Sequence, residues 1–186
     1  MEKMNQTIYL GAGCFWCTEA AFRTIKGIEE ITPGYSGGHL ENPTYEQVCS
    51  GNTGHIEVAR VVFNPEITDL EQILEIFFSI HDPTSVDQQG ADIGEQYRSV
   101  IFYTSESQKD YAMDFIKHLQ NQKHFKRAIV TQVQPFKNFY PAENYHRNYY
   151  QRNADAPYCR FVISPKIKKL QEMFPAIVNG ANSIER

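Results

Sequence analysis

The sequence predicts an α+β fold, a ferredoxin-like β-α-β-β-α-β sandwich core with added C-terminal elements and an irregular tail. Two observations carry this. Gly, Pro and Asn residues divide the N-terminal half into segments whose apolar pattern is alternately strand-like and helix-like, and those segments fall in the split βαβ order. The 186 residues show no composition shift, linker, repeat or low-complexity tract, so 1–186 reads as a single domain with one core.

Each element has a local reason. Thr7–Leu10 is a short apolar strand that runs into Gly11-Ala12-Gly13. TEAAFRTI lacks breakers and reads as a helix starting near Cys14 and stopping at Gly27. IEEITPGYSGG reads as a strand entering a glycine-rich turn. His55–Phe63 is β-branched and apolar and is closed by Asn64-Pro65. Asp69–Ile80 has helical apolar spacing before His81-Asp82-Pro83 stops it, and Ser99–Tyr103 is the fourth strand. Beyond this core, Ser105–Gln122 reads as a polar-faced helix and Ala128–Val133 as a strand added at the sheet edge. Residues 135–157 are rich in Phe, Tyr and Asn, with a short helical stretch around Glu143–Gln151, and are expected to lie over the core.

Composition narrows the partners. A formal charge of -4 and a pI near 5.9 provide no basic surface for a phosphate backbone, so no nucleic acid partner is expected. The start MEKMNQTIYL has no apolar signal core, and no window approaches ~18 uninterrupted apolar residues, so no membrane association and a cytoplasmic location are expected. In a reducing compartment the four cysteines, Cys14, Cys17, Cys49 and Cys159, read as thiols rather than as a disulfide framework. A zinc site would want a second CxxC or a Cys/His pair, and Cys49 and Cys159 stand alone; no metal is expected.

The chemistry concentrates in GAGCFWC, residues 11–17. A sulfur at a helix start lies among unsatisfied N–H groups at the positive end of the dipole, which favours thiolate by ~0.3–1 kcal/mol. That leaves most of a thiol with a pKa of ~8.5 protonated at pH 7, so Cys14 needs direct hydrogen bonds or activation by substrate, and no anion nearby. Cys17 lies one turn on, within the span that a disulfide tolerates. The pair reads as redox-active, against an alternative in which both are small apolar fillers. Phe15 and Trp16 are either core or walls for a small apolar group held against the sulfur. In the strand HIEVARVVF, alternation puts Glu57 on one side with Ala59, Val61 and Phe63. Burial there would keep the carboxyl neutral, free of repulsion toward a thiolate and able to deliver a proton; a plain edge-strand Glu is the alternative.

GCFWC, followed by GYSGG, NPTYEQVCSGNTGHIEV, HDPTSVDQQGADIGEQYRS and APYC, resembles methionine sulfoxide reductase A, the peptide-methionine (S)-S-oxide reductase family, over most of the chain from Thr7 to Val162. The resemblance implies reduction of the S epimer of methionine sulfoxide, free or in proteins, as a repair of oxidised proteins, without metal or organic cofactor. It implies Cys14 as the nucleophile that becomes a sulfenic acid, and Phe15 and Trp16 as the rings around the substrate's S-methyl group. It further implies Glu57 as the acid that protonates the sulfoxide oxygen, Tyr45 and Tyr97 as phenols that hydrogen-bond that oxygen, and Asp92 as a substrate-orienting carboxylate. A neutral acid and two O–H donors suit a sulfoxide, whose oxygen leaves poorly until protonated. Many members carry Gly where Cys17 stands. Two thiols are therefore candidates to resolve the sulfenic acid: Cys17, and Cys159 in APYC, where many relatives place the resolving cysteine. Cys159 is favoured slightly, because a mobile aromatic-rich tail can close over the site and leave. Cys49 is expected to be structural, and thioredoxin or a similar dithiol to reduce the disulfide.

Overall fold

The computed structural model describes residues 4–179. Strand β1 (Gln6–Ala12) leads through helix α1 (Phe15–Arg23) to β2 (Ile28–Ser36), and a short helix α2 (Tyr45–Cys49) precedes β3 (Ile56–Phe63). Helix α3 (Leu70–Ser79), a two-residue hairpin pair β4 (Gln88–Gln89) and β5 (Asp92–Ile93), and β6 (Ser99–Tyr103) follow. The C-terminal part adds α4 (Glu106–Asn121), β7 (Gln132–Pro135), β8 (Phe139–Pro141), α5 (Tyr149–Arg152) and α6 (Ser164–Met173).

The result is a mixed α/β structure on a six-stranded mixed sheet in the order β7-β6-β1-β3-β2-β8. Strand β1 lies antiparallel to both β3 and β6, and β2 antiparallel to β3. At one edge β7 runs parallel to β6; at the other β8 pairs antiparallel with β2, Tyr35 opposite Tyr140.

Both faces of the sheet are covered, which is why β3 carries apolar residues at almost every position. Leu10, Ala59, Val61 and Ile101 point toward the helices and bury against Phe22 of α1, Phe77 of α3, Ala112 of α4 and Leu170 of α6. On the opposite face Tyr9, Val58, Val100 and Phe102 pack under Phe136 and Phe139, with Tyr9 and Phe136 stacked at 4.2 Å. The aromatic segment after β7 thus lies over the core and closes its second face.

Three expectations change. The edge strand predicted over Ala128–Val133 lies at Gln132–Pro135 instead; the Val130 N–H goes to the carbonyl of Pro83, which holds the preceding residues against the loop after α3. The tail is not irregular: it holds β8, a π-helical turn at Cys159–Ile163 and helix α6. Ile163, Ile167 and Leu170 recur at helical spacing there, with Pro165 in the first turn where its missing N–H costs nothing. The helical stretch around Glu143–Gln151 is two short pieces, a 3₁₀ turn at Asn144–His146 and α5, separated by Asn148 in the left-handed region at φ 52°. Helix α2, which sequence periodicity passes over, is set by a reciprocal capping box between Thr44 and Gln47.

Gly34 permits β8. A Cβ at that position would lie 2.5 Å from the carbonyl oxygen of Tyr140 and from the Phe139 ring, so any side chain there pushes the edge strand away. Gly34→Ala is therefore expected to leave the central sheet intact by far-UV circular dichroism while amide protection at residues 139–141 falls at least ~10-fold in hydrogen exchange. Unchanged protection would show that the edge contact contributes nothing.

Candidate active site

The site forms where β1 ends. Gly13, at φ +87°, turns the chain in the left-handed region; a Cβ here would also meet the Gln89 side chain at 2.7 Å. The turn delivers Cys14 to the N-cap of α1, yet its side chain makes no capping hydrogen bond. The cap comes from across the sheet: the Phe15 N–H donates to Glu57 Oε2 at 3.0 Å. Glu57 stands on β3 facing the helices, 1 % exposed. Burial pushes its carboxyl up to about 8, against the Phe15 N–H, which favours the anion, and with help from Asp92 and Cys17. At pH 7 it is a neutral acid with one oxygen accepting from α1 and one O–H to give.

The thiols behave as a pair. Burial, then the hydrogen bond to Cys17 and the proximity of Glu57, push Cys14 well up, and the hydrogen bond from the Trp16 amide does not offset them. A helix-start position thus does not make Cys14 a thiolate; desolvation exceeds the ~0.3–1 kcal/mol of the dipole. Cys17 moves the other way, to about 7, chiefly through the hydrogen bond with Cys14, with Lys166 and the Tyr158 hydroxyl adding to it and burial opposing. The first proton leaves the pair near neutral pH, and the charge rests on Cys17 with Cys14 as its donor.

Aromatic side chains wall the sulfurs. Phe15 is buried and Trp16 half-buried. Trp16 stacks on Tyr149 at 3.6 Å with planes 3° apart, and Tyr158 meets it edge-on at 5.9 Å. The indole Nε1–H donates to His146 Nδ1 at 3.0 Å. An indole only donates, so His146 carries its proton on Nε2, which faces Glu143 Oε2 at 3.4 Å. Burial lowers the His146 pKa and keeps the ring neutral. Phe15 and Tyr45 both pack against the same imidazole, at 4.9 and 4.7 Å. Glu143 is fixed in turn by the hydroxyls of Tyr35 and Tyr145, at 3.3 and 3.1 Å.

Tyr45 opens α2, and Tyr97 lies in a 3₁₀ turn at Glu95–Tyr97. Burial raises both phenols; after it Tyr97 responds to Glu57, Cys14 and Asp92, and Tyr45 to its hydrogen bond with Cys49 and then to Glu57. Both remain O–H donors, and both sit within the field of Glu57. Asp92, on the β5 hairpin, accepts the Tyr158 hydroxyl at 2.7 Å, and the same hydroxyl lies 3.6 Å from Cys17 Sγ. Cys159 opens the π-helical turn and is fully buried with Cys17, Ala20, Ile163 and Ile167, against which Cys14 and Trp16 pack. Burial, then Cys17, raises its thiol. Three of the four cysteines therefore gather in one cluster, all as free thiols. The fourth, Cys49, is exposed on α2, apart from that cluster, where it hydrogen-bonds with Tyr45. A cavity of about 750 Å³ opens on Cys14, Asp92 and Tyr158.

The family model for peptide methionine sulfoxide reductase matches residues 6–177, an interval that contains every residue of this site. The chain belongs to that family. A peptide methionine sulfoxide reductase of Saccharolobus solfataricus is 50% identical over 166 residues, 89% of this chain and 93% of that protein. The crystal structure of Mxr1 from Saccharomyces cerevisiae in reduced form is similar with a TM-score of 0.78 at 34% identity, covering 83% of this chain and 89% of that one. Mxr1 in complex with Trx2 is similar with a TM-score of 0.56 at 25% identity, covering 80% of this chain and 87% of that one. This chain is a thiol-dependent peptide methionine sulfoxide reductase. Among the described residues, no group of three or more His, Cys, Asp or Glu side chains could hold a metal ion, and no helix is long and apolar enough to cross a membrane.

The residues that sequence reading passed over are those that hold Trp16 in place: His146, Tyr149 and Tyr158. All lie in the aromatic segment and the tail, where the only signal was composition. Trp16 is the sole tryptophan, so its environment can be read directly. His146→Phe is expected to remove the indole's acceptor, shift the tryptophan emission maximum and raise KM about 5–10-fold, the equivalent of ~1–1.4 kcal/mol, with a smaller change in kcat. His146→Gln, which restores an acceptor, is expected to recover part of both effects; equal damage from the two variants would mean the imidazole merely fills space.

Proposed function

We propose that Cys14 reduces the S epimer of methionine sulfoxide with Glu57 as general acid, Cys17 and then Cys159 as resolving thiols, and thioredoxin or a similar dithiol as reductant. The observation that carries this is the position of a neutral, buried Glu57 directly beneath the N–H of the residue that follows Cys14. Cys14 passes its proton to the Cys17 thiolate as its sulfur attacks the sulfoxide sulfur, and Glu57 protonates the oxygen. Tyr45 and Tyr97 donate to that oxygen, and Phe15 and Trp16 enclose the methyl group. Collapse releases methionine and leaves Cys14 as a sulfenic acid: the substrate gains two electrons and Cys14 loses two. Asp92, held by Tyr158, orients the substrate at the cavity mouth.

The sequence alone favours Cys159 slightly as the first resolving thiol. The hydrogen bond between Cys14 and Cys17 favours Cys17. Cys17 sulfur attacks the sulfenic sulfur, water leaves, and a Cys14–Cys17 disulfide forms; Cys14 is non-helical, which frees its side chain to reach one turn onward. Cys159, in the same cluster, then exchanges with that disulfide and carries it to the reductant. The yeast relative found with Trx2 supports thioredoxin in that role. The enzyme acts as a single domain of ferredoxin-like topology in the cytoplasm; the antiparallel order β6-β1-β3-β2 supports the topology.

Activity is expected to fall about tenfold per pH unit above about 8, as Glu57 loses its proton. Glu57→Gln is expected to remove that limb and cost ~10²–10⁴ in rate. Stability gives an independent reading. Unfolded, this carboxyl ionises near ~4.3, and folded near 8, so between those values the native state holds the extra proton and stability falls as pH rises. The Tm advantage of Glu57→Gln over the parent is therefore expected to grow from pH 5 to pH 8 and to level off above; a flat difference would mean the carboxyl is charged in the fold.

Cys14→Ser is expected to abolish reduction. After one equivalent of methionine sulfoxide, disulfide mapping by mass is expected to find Cys14–Cys17 in Cys159→Ser, and trapped sulfenic acid at Cys14 in Cys17→Ser. A Cys14–Cys159 bond formed at the parent rate in Cys17→Ser would return the first resolving step to Cys159.

A further inference from the structure

The cavity that opens on Cys14 is not neutral along its length. Besides Cys14 it is lined by Lys126, Arg127, Lys166 and Lys169, four cations on a chain whose formal charge is -4. Of its two carboxylates one is paired with a cation and the other is hydrogen-bonded to a hydroxyl. Asp82 takes Arg127 at 3.1 Å and accepts from Thr84, while Asp92 takes the Tyr158 hydroxyl. Lys169 donates to the carbonyl of Ser79, which neutralises none of its charge. Lys126 and Lys166 have no carboxylate partner among the described residues, and the Lys166 ammonium is near enough to act on both Cys17 and His81. The cleft thus holds two more cations than carboxylates, and Lys126 and Lys169 are the ones that support neither a carboxylate nor a thiolate of the fold.

About 750 Å³ is within the range of ligand sites and exceeds what one methionine sulfoxide side chain fills. The shape is a concavity ending at a reactive sulfur, which suits an extended segment at ~3.3–3.6 Å per residue better than a convex protein surface. With the sulfoxide seated at Cys14, the residues beside it in the client lie along the cations.

We propose that this cleft is a subsite for a carboxylate on the substrate beside the methionine sulfoxide, so that the enzyme prefers oxidised methionines flanked by Asp or Glu. The inference rests on reduction of peptide methionine sulfoxide at Cys14. Complementary charge in a partly enclosed cleft acts on encounter and on register, and is screened by salt.

The test compares blocked pentapeptides with methionine sulfoxide at the centre and Glu, Gly or Lys on both sides, in the whole enzyme. At low ionic strength kcat/KM for the Glu peptide is expected to exceed that for the Lys peptide at least ~5-fold, falling within ~2-fold in 1 M salt, where screening acts over ~3 Å. In K126E/K169E the order is expected to reverse, with the Gly peptide reduced at the parent rate; K126Q/K169Q, expected to abolish the preference without reversing it, serves if the charge reversal perturbs folding. Equal rates for Glu and Lys peptides, or a preference that survives both double variants, would overturn the subsite. Free methionine sulfoxide against its N-acetyl amide separates the other source of a carboxylate: discrimination there, with none among the peptides, would assign the cations to the substrate's own α-carboxylate and overturn the flanking role. Failure to reduce the Gly peptide at all would count instead against reductase action at Cys14.

Discussion

The hydrogen bond from the Phe15 amide to Glu57 is the constraint on which the rest of the site depends. It joins the first turn of α1 to β3, supplies the cap that Cys14 does not, and fixes how far the acid stands from the sulfur. A charged carboxylate would cap a helix more strongly than a neutral one. The fold nevertheless buries Glu57 until it holds its proton, giving up capping strength for a group that can release that proton to substrate. The same burial removes water that would otherwise compete for a sulfoxide oxygen.

Desolvation also decides the behaviour of the sulfurs. Had the helix dipole prevailed, Cys14 would be a standing thiolate, open to adventitious oxidation as well as to substrate. Instead burial keeps Cys14 protonated and places the charge one turn inward on Cys17, where Lys166 and Tyr158 support it. The proton on Cys14 thus lies beside a group that can accept it.

Sequence carried the central sheet and the places of Cys14 and Glu57 well because each rests on a short-range pattern. Alternation in HIEVARVVF places Glu57 on the helix side of β3, and glycine at position 13 places Cys14 at a helix start. What escaped depends on contacts distant in sequence. His146 meets Trp16 across 130 positions, and nothing in ENYHRNYY distinguishes a buried imidazole acceptor from a surface one. Tyr158 reaches Asp92 across 66. Strand β8 has only three residues, one of them Pro, so alternation had nothing to register, and its place is set by Gly34 on its neighbour. The direction of the Cys14 shift also lay beyond sequence, since it depends on how much solvent the folded tail excludes.

That tail has a consequence for biosynthesis. Cys14 is among the first residues to be made, whereas His146, Tyr149, Tyr158 and Cys159, which pack around it and Trp16, are among the last. A nascent chain folding from its N-terminus therefore passes through a stage in which the central strands can pair while the sulfur is unsheltered. That shelter arrives with the C-terminal helices, so a polypeptide truncated after the sheet would leave the thiol open to solvent.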